Sequence, residues 1–337
     1  MKIQFFNKLG RTGRIYLSLV MILGVLLAVS GILVPGTLKP SHLLEVARQS
    51  VPLGITSLGQ TFVILSGGID LSVGEIITFT NIVGTDLMRG KNEVALPVIL
   101  FLLFTGTLLG AISGLVIAST NMPPLVMTFG MASIVKGSYL LYSSGTPKGS
   151  VSPILRTMGA GRLGAIPISL LLFCLTFGIV LYISKRTIWG RSVFYLGNNP
   201  RAALYSGVPV RSRLVFAYAI SGLMASMAGL ILSGYIGIAN FNIGGDAYNM
   251  NSVAAAVIGG NTFNGQGGLV GTALGALIVT VLTSLMTSLG IGQAGKSIMQ
   301  GLVITMMVAL YTSQSDIWQR MKQVARPERR DEHHASV

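Results

Sequence analysis

Apolar residues run through this chain in blocks of about 20, long enough for a helix to cross a ~30 Å hydrocarbon layer, separated by short polar or glycine-rich breaks. The blocks fall near 15–34, 43–65, 71–88, 94–118, 123–143, 166–184, 214–236, 247–260, 268–290 and 296–312. The pattern predicts an all-α polytopic membrane protein with about ten transmembrane helices. The block at 247–260 is short and ends in glycine, which reads as a broken or re-entrant helix. One transmembrane domain, 15–312, lies between an N-terminal segment, 1–14, and a polar tail, 313–337.

Composition supports the membrane reading: 51% of residues are hydrophobic and 10% are charged. The net charge of +14 raises nucleic-acid binding, but the basic residues are spread over loops and membrane flanks, where topology and anionic lipid headgroups account for them. They gather before the first block (Lys2, Lys8, Arg11, Arg14), between the sixth and seventh (Lys185, Arg186, Arg191, Arg201, Arg211, Arg213) and after the last (Arg320, Lys322, Arg326, Arg329, Arg330). Short cytoplasmic loops keep positive charge, so an even number of spans puts all three groups, and both termini, in the cytoplasm. Lys39, Arg89, Lys91, Lys148, Arg156 and Arg162 fall on the opposite face. The first block resembles a signal peptide ending at Ala28-Val29-Ser30, but its length reads as an uncleaved anchor. Cys174, the one cysteine, lies in an apolar block and is expected to act as a small packing residue.

Between the second and third blocks stands Gly67-Gly68-Ile69-Asp70-Leu71-Ser72-Val73-Gly74, a glycine-broken segment with a carboxylate at membrane depth. A charge there costs roughly 2.5 to 3.5 kcal/mol on insertion scales, so such acids face a protein interior or an aqueous cavity. In the third block Glu75, Thr78, Ile82 and Asp86 share one helix face, with the two acids about three turns apart. With Gly68, Asp70, Ser72 and Asn261, Glu75 and Thr78 are the candidates for lining a solute path. Two glycine ladders, Gly106, Gly110 and Gly114 in the fourth block and Gly267, Gly271 and Gly275 in the ninth, predict close helix packing. Each ladder falls in the third helix of a possible four-helix half, spans two to five and seven to ten, which suggests an internal repeat.

Gly290-Ile291-Gly292-Gln293-Ala294-Gly295-Lys296-Ser297 satisfies the phosphate-loop pattern, but that device works only between a core strand and a helix. Here it joins two membrane blocks on the outer face, so it reads as an interhelical turn with Lys296 reaching toward headgroups. The basic loop 185–213 carries a short surface helix: Asn199 suits its cap, Pro200 its first turn and Gly207 its stop. Its exposed Ala, Leu and Tyr suit a partner protein.

At these residues the chain resembles the permease subunits of ribose-type, or more broadly monosaccharide, ABC importers, in the group that includes branched-chain amino acid permeases. The likeness is carried by Gly67 to Gly74; by Pro124, Thr128, Gly130, Gly137 and Gly145; by Gly190-Arg191 with Gly197-Asn198-Asn199-Pro200, Ala202-Ala203 and Ser206-Gly207; and by Ala254 to Gly260. The resemblance implies a subunit of the bacterial inner membrane that pairs as a homo- or heterodimer and receives sugar from a periplasmic or lipid-anchored solute-binding protein. Coupling to cytoplasmic ABC ATPase subunits would run through Gly190, Arg191, Gly197, Asn199, Pro200, Arg201, Ala203 and Gly207. ATP and Mg would be used by that partner, leaving this chain without enzymatic activity or a cofactor of its own. Glu75, Asn249 and Gln300 depart from the family's usual residues. The alternative is an ion-coupled secondary transporter in which Asp70 and Glu75 carry the ions, a scheme with no need for the surface helix.

Overall fold

The computed structural model describes residues 11–120, 122–299, 301–302 and 305. The described residues are mostly helical: α1 (Arg11–Leu33), α2 (Pro40–Leu65), α3 (Val73–Met88), α4 (Ala95–Thr120), α5 (Pro124–Tyr142), α6 (Pro153–Ala160), α7 (Ile168–Arg186), α8 (Ile188–Asn198), α9 (Pro200–Tyr205), α10 (Val210–Ile236), α11 (Gly245–Ile258) and α12 (Leu269–Ser288). A two-residue hairpin, β1 (Arg162–Leu163) with β2 (Ile166–Pro167), links α6 to α7. The expected tenth span, the tail 313–337, Gln300 and residues 1–10 fall outside the described residues, apart from a helical start at 293–299.

Six of these helices are long and apolar enough to cross a membrane unaided: Gly13–Leu33 of α1, and α4, α5, α7, α10 and α12. The remaining predicted spans differ for physical reasons. α2 has the length but buries Ser50, Thr56, Ser57, Gln60 and Thr61 among other helices, so its surroundings are protein rather than lipid. α3 and α11, at 16 and 14 residues, are only about 24 and 21 Å long by the 1.5 Å rise per residue, short of the hydrocarbon thickness. The short block at 247–260 is thus a short helix, and the third block is another.

The core is built around α10, which packs on α2, α3, α4, α6 and α8. Its small residues let neighbours come close: a Cβ on Gly222 would strike the carbonyl of Gly106, and Gly110 and Gly114 abut the backbone of Tyr218 and Val215. The α4 ladder therefore faces α10 within one chain. The second ladder is divided. Gly271 and Gly275 pack on Gly259 and Ala255 of α11, whereas Gly267 precedes α12 at φ 135° and cannot share its face. Cys174 is corrected too: it is exposed on the outside of α7 instead of packed.

A repeat organises the bundle. α2–α3–α4 and α10–α11–α12 correspond at a spacing near 170 residues, with left-handed glycines in register: Gly67 and Gly237 follow α2 and α10, while Gly90 and Gly260 follow α3 and α11. α2 ends, but α10 begins, at the end of the bundle that carries α8 and α9, so the two halves are inverted. At the other end Ser150 bridges Ile238, and α6 packs against the end of α10 through Gly159 and Gly234.

Candidate functional site

Two glycine junctions, one in each half, meet at the α8 end. In the first, Gly67 at φ 90° turns the chain out of α2, and the Tyr218 hydroxyl occupies the space a Cβ on Gly68 would need. The chain then re-enters the bundle at Asp70, which has no solvent exposure. Its Oδ1 accepts from the backbone N–H and the hydroxyl of Ser72 at 2.9 and 2.6 Å. Its Oδ2 accepts from the Ser221 hydroxyl of α10 at 2.7 Å. With its amide oriented to satisfy both partners, Gln60 donates to the Asp70 carbonyl at 3.2 Å and accepts from its N–H at 3.1 Å. Thr128 of α5 donates to the Ile69 carbonyl at 3.1 Å. The carboxylate thus braces the turn that leads into α3 and ties the junction to α10.

The second junction, 259–268, uses an amide for the same task. Asn261 donates to the Ala256 carbonyl at 2.7 Å and to the Thr272 hydroxyl at 2.8 Å, and accepts from the Gly268 N–H at 2.8 Å. The Thr272 hydroxyl is 2.6 Å from that of Thr61, which stitches α12 to α2.

Both junctions rest on α8, a helix the sequence reading treated as loop. A Cβ on Gly197 would run into the Leu65 carbonyl and lie 2.7 Å from the Gly265 nitrogen, and Gly265, at φ 70°, abuts the Phe194 carbonyl. Thr187 caps α8 through the Gly190 N–H at 3.1 Å, and Gly190 itself seats the helix on the Ile183 carbonyl. α9 follows directly. Asn199 caps it by accepting from the Ala202 N–H at 3.0 Å, Pro200 starts it, and Gly207 ends it at φ 77°. Ala203 is the inward side of α9, while Leu204 and Tyr205 are 60% and 89% exposed and Arg191 and Arg201 face outward. Arg213, at the start of α10, lies 3.8 Å over the Trp189 ring and fixes α8 against the bundle.

Glu75 and Asp86 each hold α5 by a tyrosine. Tyr139 donates to Glu75 at 2.7 Å, and Tyr142 donates to Asp86 at 2.7 Å, where Arg89 also pairs at 3.2 Å. Glu75 is buried beside Phe241, which stacks on Tyr139 at 5.9 Å, whereas the Asp86 pairing is exposed. Thr78 bonds back to the Gly74 carbonyl at 3.1 Å, and Gly74 donates to Asn249 of α11 at 2.8 Å. Gly68, Asp70, Ser72, Glu75, Thr78 and Asn261 are therefore all enclosed by the chain's own packing. The sequence reading missed the partners Ser221 and Tyr139, and Tyr142, the partner of Asp86.

A cavity lies elsewhere. About 410 Å³ opens between α2, α10, α11 and α12 at the end away from α9, with Arg48, Gln49, Tyr235, Asn251, Thr283 and Thr287 in its wall. The phosphate-loop lookalike follows helix α12 directly: Gly290 turns at φ 74° and a new helix starts at 293, so no strand precedes it.

Residues 42–310 match the family described as branched-chain amino acid transport system / permease component. The chain is 31% identical to the ribose import permease protein RbsC of Haemophilus influenzae, over 84% of this chain and 89% of that protein. Its identity to the RbsC of Bacillus subtilis is 32%, over 85% and 89%. With the fructose import permease protein FrcC of Rhizobium meliloti it is 35%, over 83% and 80%. No solved structure matches. With its buried inverted repeat and membrane-length helices, this chain belongs to the branched-chain amino acid transport system / permease component family, as a multi-pass membrane permease.

Proposed function

We propose that the chain is the transmembrane subunit of an ATP-driven importer that carries a monosaccharide or similar small polar solute across the bacterial inner membrane. Ten spans, with both termini in the cytoplasm, place α8 and α9 on the cytoplasmic face. There α9 docks a separate ABC ATPase, which binds ATP and Mg. A second permease subunit completes the membrane unit, and a periplasmic or lipid-anchored binding protein delivers the solute.

One observation carries this reading: Gly197, two residues before the α9 cap, is wedged between the two glycine junctions, against Leu65 of one and Gly265 of the other. A push on α9 is thereby delivered to the two junctions together, a geometry suited to switching the bundle between two packings. An ion-driven carrier has no use for such a lever. The similarity to ribose and fructose import permeases supports a monosaccharide as cargo.

The test is reconstitution in proteoliposomes with an ABC ATPase and a solute-binding protein from the same organism. Uptake of D-ribose, D-fructose or D-galactose should require ATP on the α9 side. Ion-gradient uptake by the chain alone would overturn the proposal.

A further inference from the structure

Three charged side chains are buried among the described residues: Asp70, Glu75 and Arg213. Both acids are met, Asp70 by Ser72 and Ser221 and Glu75 by Tyr139. Arg213 is different. It is 8% exposed, its Nε and Nη1 have no hydrogen-bond partner, and it belongs to none of the ion pairs found among the described residues. No acid is near it in sequence, since residues 94–245 contain no Asp or Glu. The neutral hydroxyls left unmatched in this interior, such as those of Tyr218 and Ser30, each forfeit one ordinary hydrogen bond. A cation taken out of water without an anion forfeits far more, so an unmatched guanidinium points to a missing partner as an unmatched hydroxyl does not.

Position decides what that anion is. α7 and α10 are both of membrane length, and Arg213 stands three residues into α10, about 5 Å along its axis from the first residue. Where α7 ends and α8 begins, Tyr182, Ile188 and Trp189 are exposed, interleaved with the exposed cations Lys185, Arg186 and Arg191. Aromatic and apolar side chains mixed with cations at the end of a spanning helix are the pattern of a membrane–water interface. A protein partner is served by a different surface, Leu204 and Tyr205 on α9. The Arg213 guanidinium lies 3.8 Å over the Trp189 ring, which packs in turn on Phe216 at 5.3 Å, so the cation is held at headgroup depth between α8 and α10. A guanidinium fixed in this way offers a phosphate two parallel hydrogen bonds along one edge. Basic pockets between spanning helices suit anionic headgroups for that reason.

We infer that the cleft between the starts of α8 and α10 binds the phosphodiester of an anionic phospholipid, with Arg213 as its ligand and Lys185, Arg186, Arg191 and Arg211 supplying the surrounding field. The exposed indole of Trp189 is the movable cover of the buried guanidinium edge. A lipid held there braces α8, on which both glycine junctions rest. The inference goes beyond the import reading and needs only that α7 and α10 cross the membrane.

Trp189 reports on the site directly, because Trp318→Phe leaves it the only tryptophan in the chain. The full chain is placed in phosphatidylcholine nanodiscs containing equal minor fractions of phosphatidylglycerol or phosphatidylcholine with brominated acyl chains, which quench indole fluorescence on contact. Brominated phosphatidylglycerol should quench with about fivefold higher apparent affinity, the preference expected of one cation facing an anionic headgroup. Arg213→Gln should abolish that preference. Arg213→Leu should do the same, and it guards against misfolding of the first variant because it buries no unmet polar group. Lys148→Gln, at the opposite end of the bundle, should keep the preference intact. Equal quenching by the two lipids, or a preference that survives both Arg213 variants, would overturn the site. If soluble glycerol 3-phosphate abolished the preference, the site would belong to a free phosphate. If binding of the ABC ATPase abolished it, Arg213 would answer to a carboxylate of that subunit. Either result also overturns the lipid. No arm measures uptake, so the import reading stands or falls separately.

Discussion

The Ser221 hydroxyl of α10 donates a 2.7 Å hydrogen bond to Oδ2 of Asp70, joining the first glycine junction to the central helix across 151 positions of sequence. Neither atom touches solvent, and the bond closes a network in which Ser72 satisfies the other carboxylate oxygen. Ser221→Ala should therefore leave a buried oxygen unmatched and destabilise the chain by ~1–3 kcal/mol. A midpoint of thermal unfolding in detergent equal to the parent's would show that the bond contributes nothing.

Tyr218 offers a contrast within the same region. Its hydroxyl is buried without a partner beside Gly68. Tyr218→Phe should be neutral or mildly stabilising, because it removes an unmet polar group and keeps the ring that fills the space. Tyr218→Ala should cost about 3–5 kcal/mol through the void it leaves. A large loss in the Phe variant would mean that the hydroxyl has a partner in the working membrane complex.

Gly197→Ala should weaken both stability and coupling. The added methyl collides with the Leu65 carbonyl and crowds Gly265, an overpacking worth about 1–3 kcal/mol. Gly178→Ala in α7 meets nothing within 4 Å and should be neutral or slightly stabilising through helix propensity. The comparison is made by measuring solute-stimulated ATP hydrolysis alongside thermal unfolding. Equal stimulation in the two variants would exclude Gly197 as a lever.

The Tyr139–Glu75 bond should couple α5 to α3. Single variants Tyr139→Phe and Glu75→Gln, with the double variant, form a cycle whose interaction energy should fall in the range of about 0.5–3 kcal/mol for groups in direct contact. Additive effects would indicate that the two side chains do not depend on one another.

Much of the helical framework is legible in the sequence because apolar blocks separated by glycine and proline leave little choice of element. Asn199, Pro200 and Gly207 likewise write out α9, since each acts through its own backbone. What stays hidden depends on distant partners. Nothing local marks Ser221 or Tyr139 as the groups that satisfy Asp70 and Glu75. α8 escaped notice for another reason: Gly190, Gly197 and Arg191 dilute its apolar face, although the Thr187 cap and the spacing of Val193 and Leu196 are present. The cavity left one visible trace, the spacing of Thr280, Thr283, Ser284 and Thr287 along α12, a polar face in an otherwise apolar helix.

The two short helices, α3 and α11, bring their N-terminal turns together inside the bundle, where Gly74 packs on Gly245 and bonds Asn249. Each such terminus carries about half a unit of positive charge from its aligned peptide dipoles. Each also has one acid in its first turn, Glu75 in α3 and Asp246 in α11. The two positive helix ends are thereby faced by carboxylates belonging to the fold itself, Glu75 buried and Asp246 exposed. An uncharged solute needs no counter-ion to pass them, and the membrane voltage does no work on it.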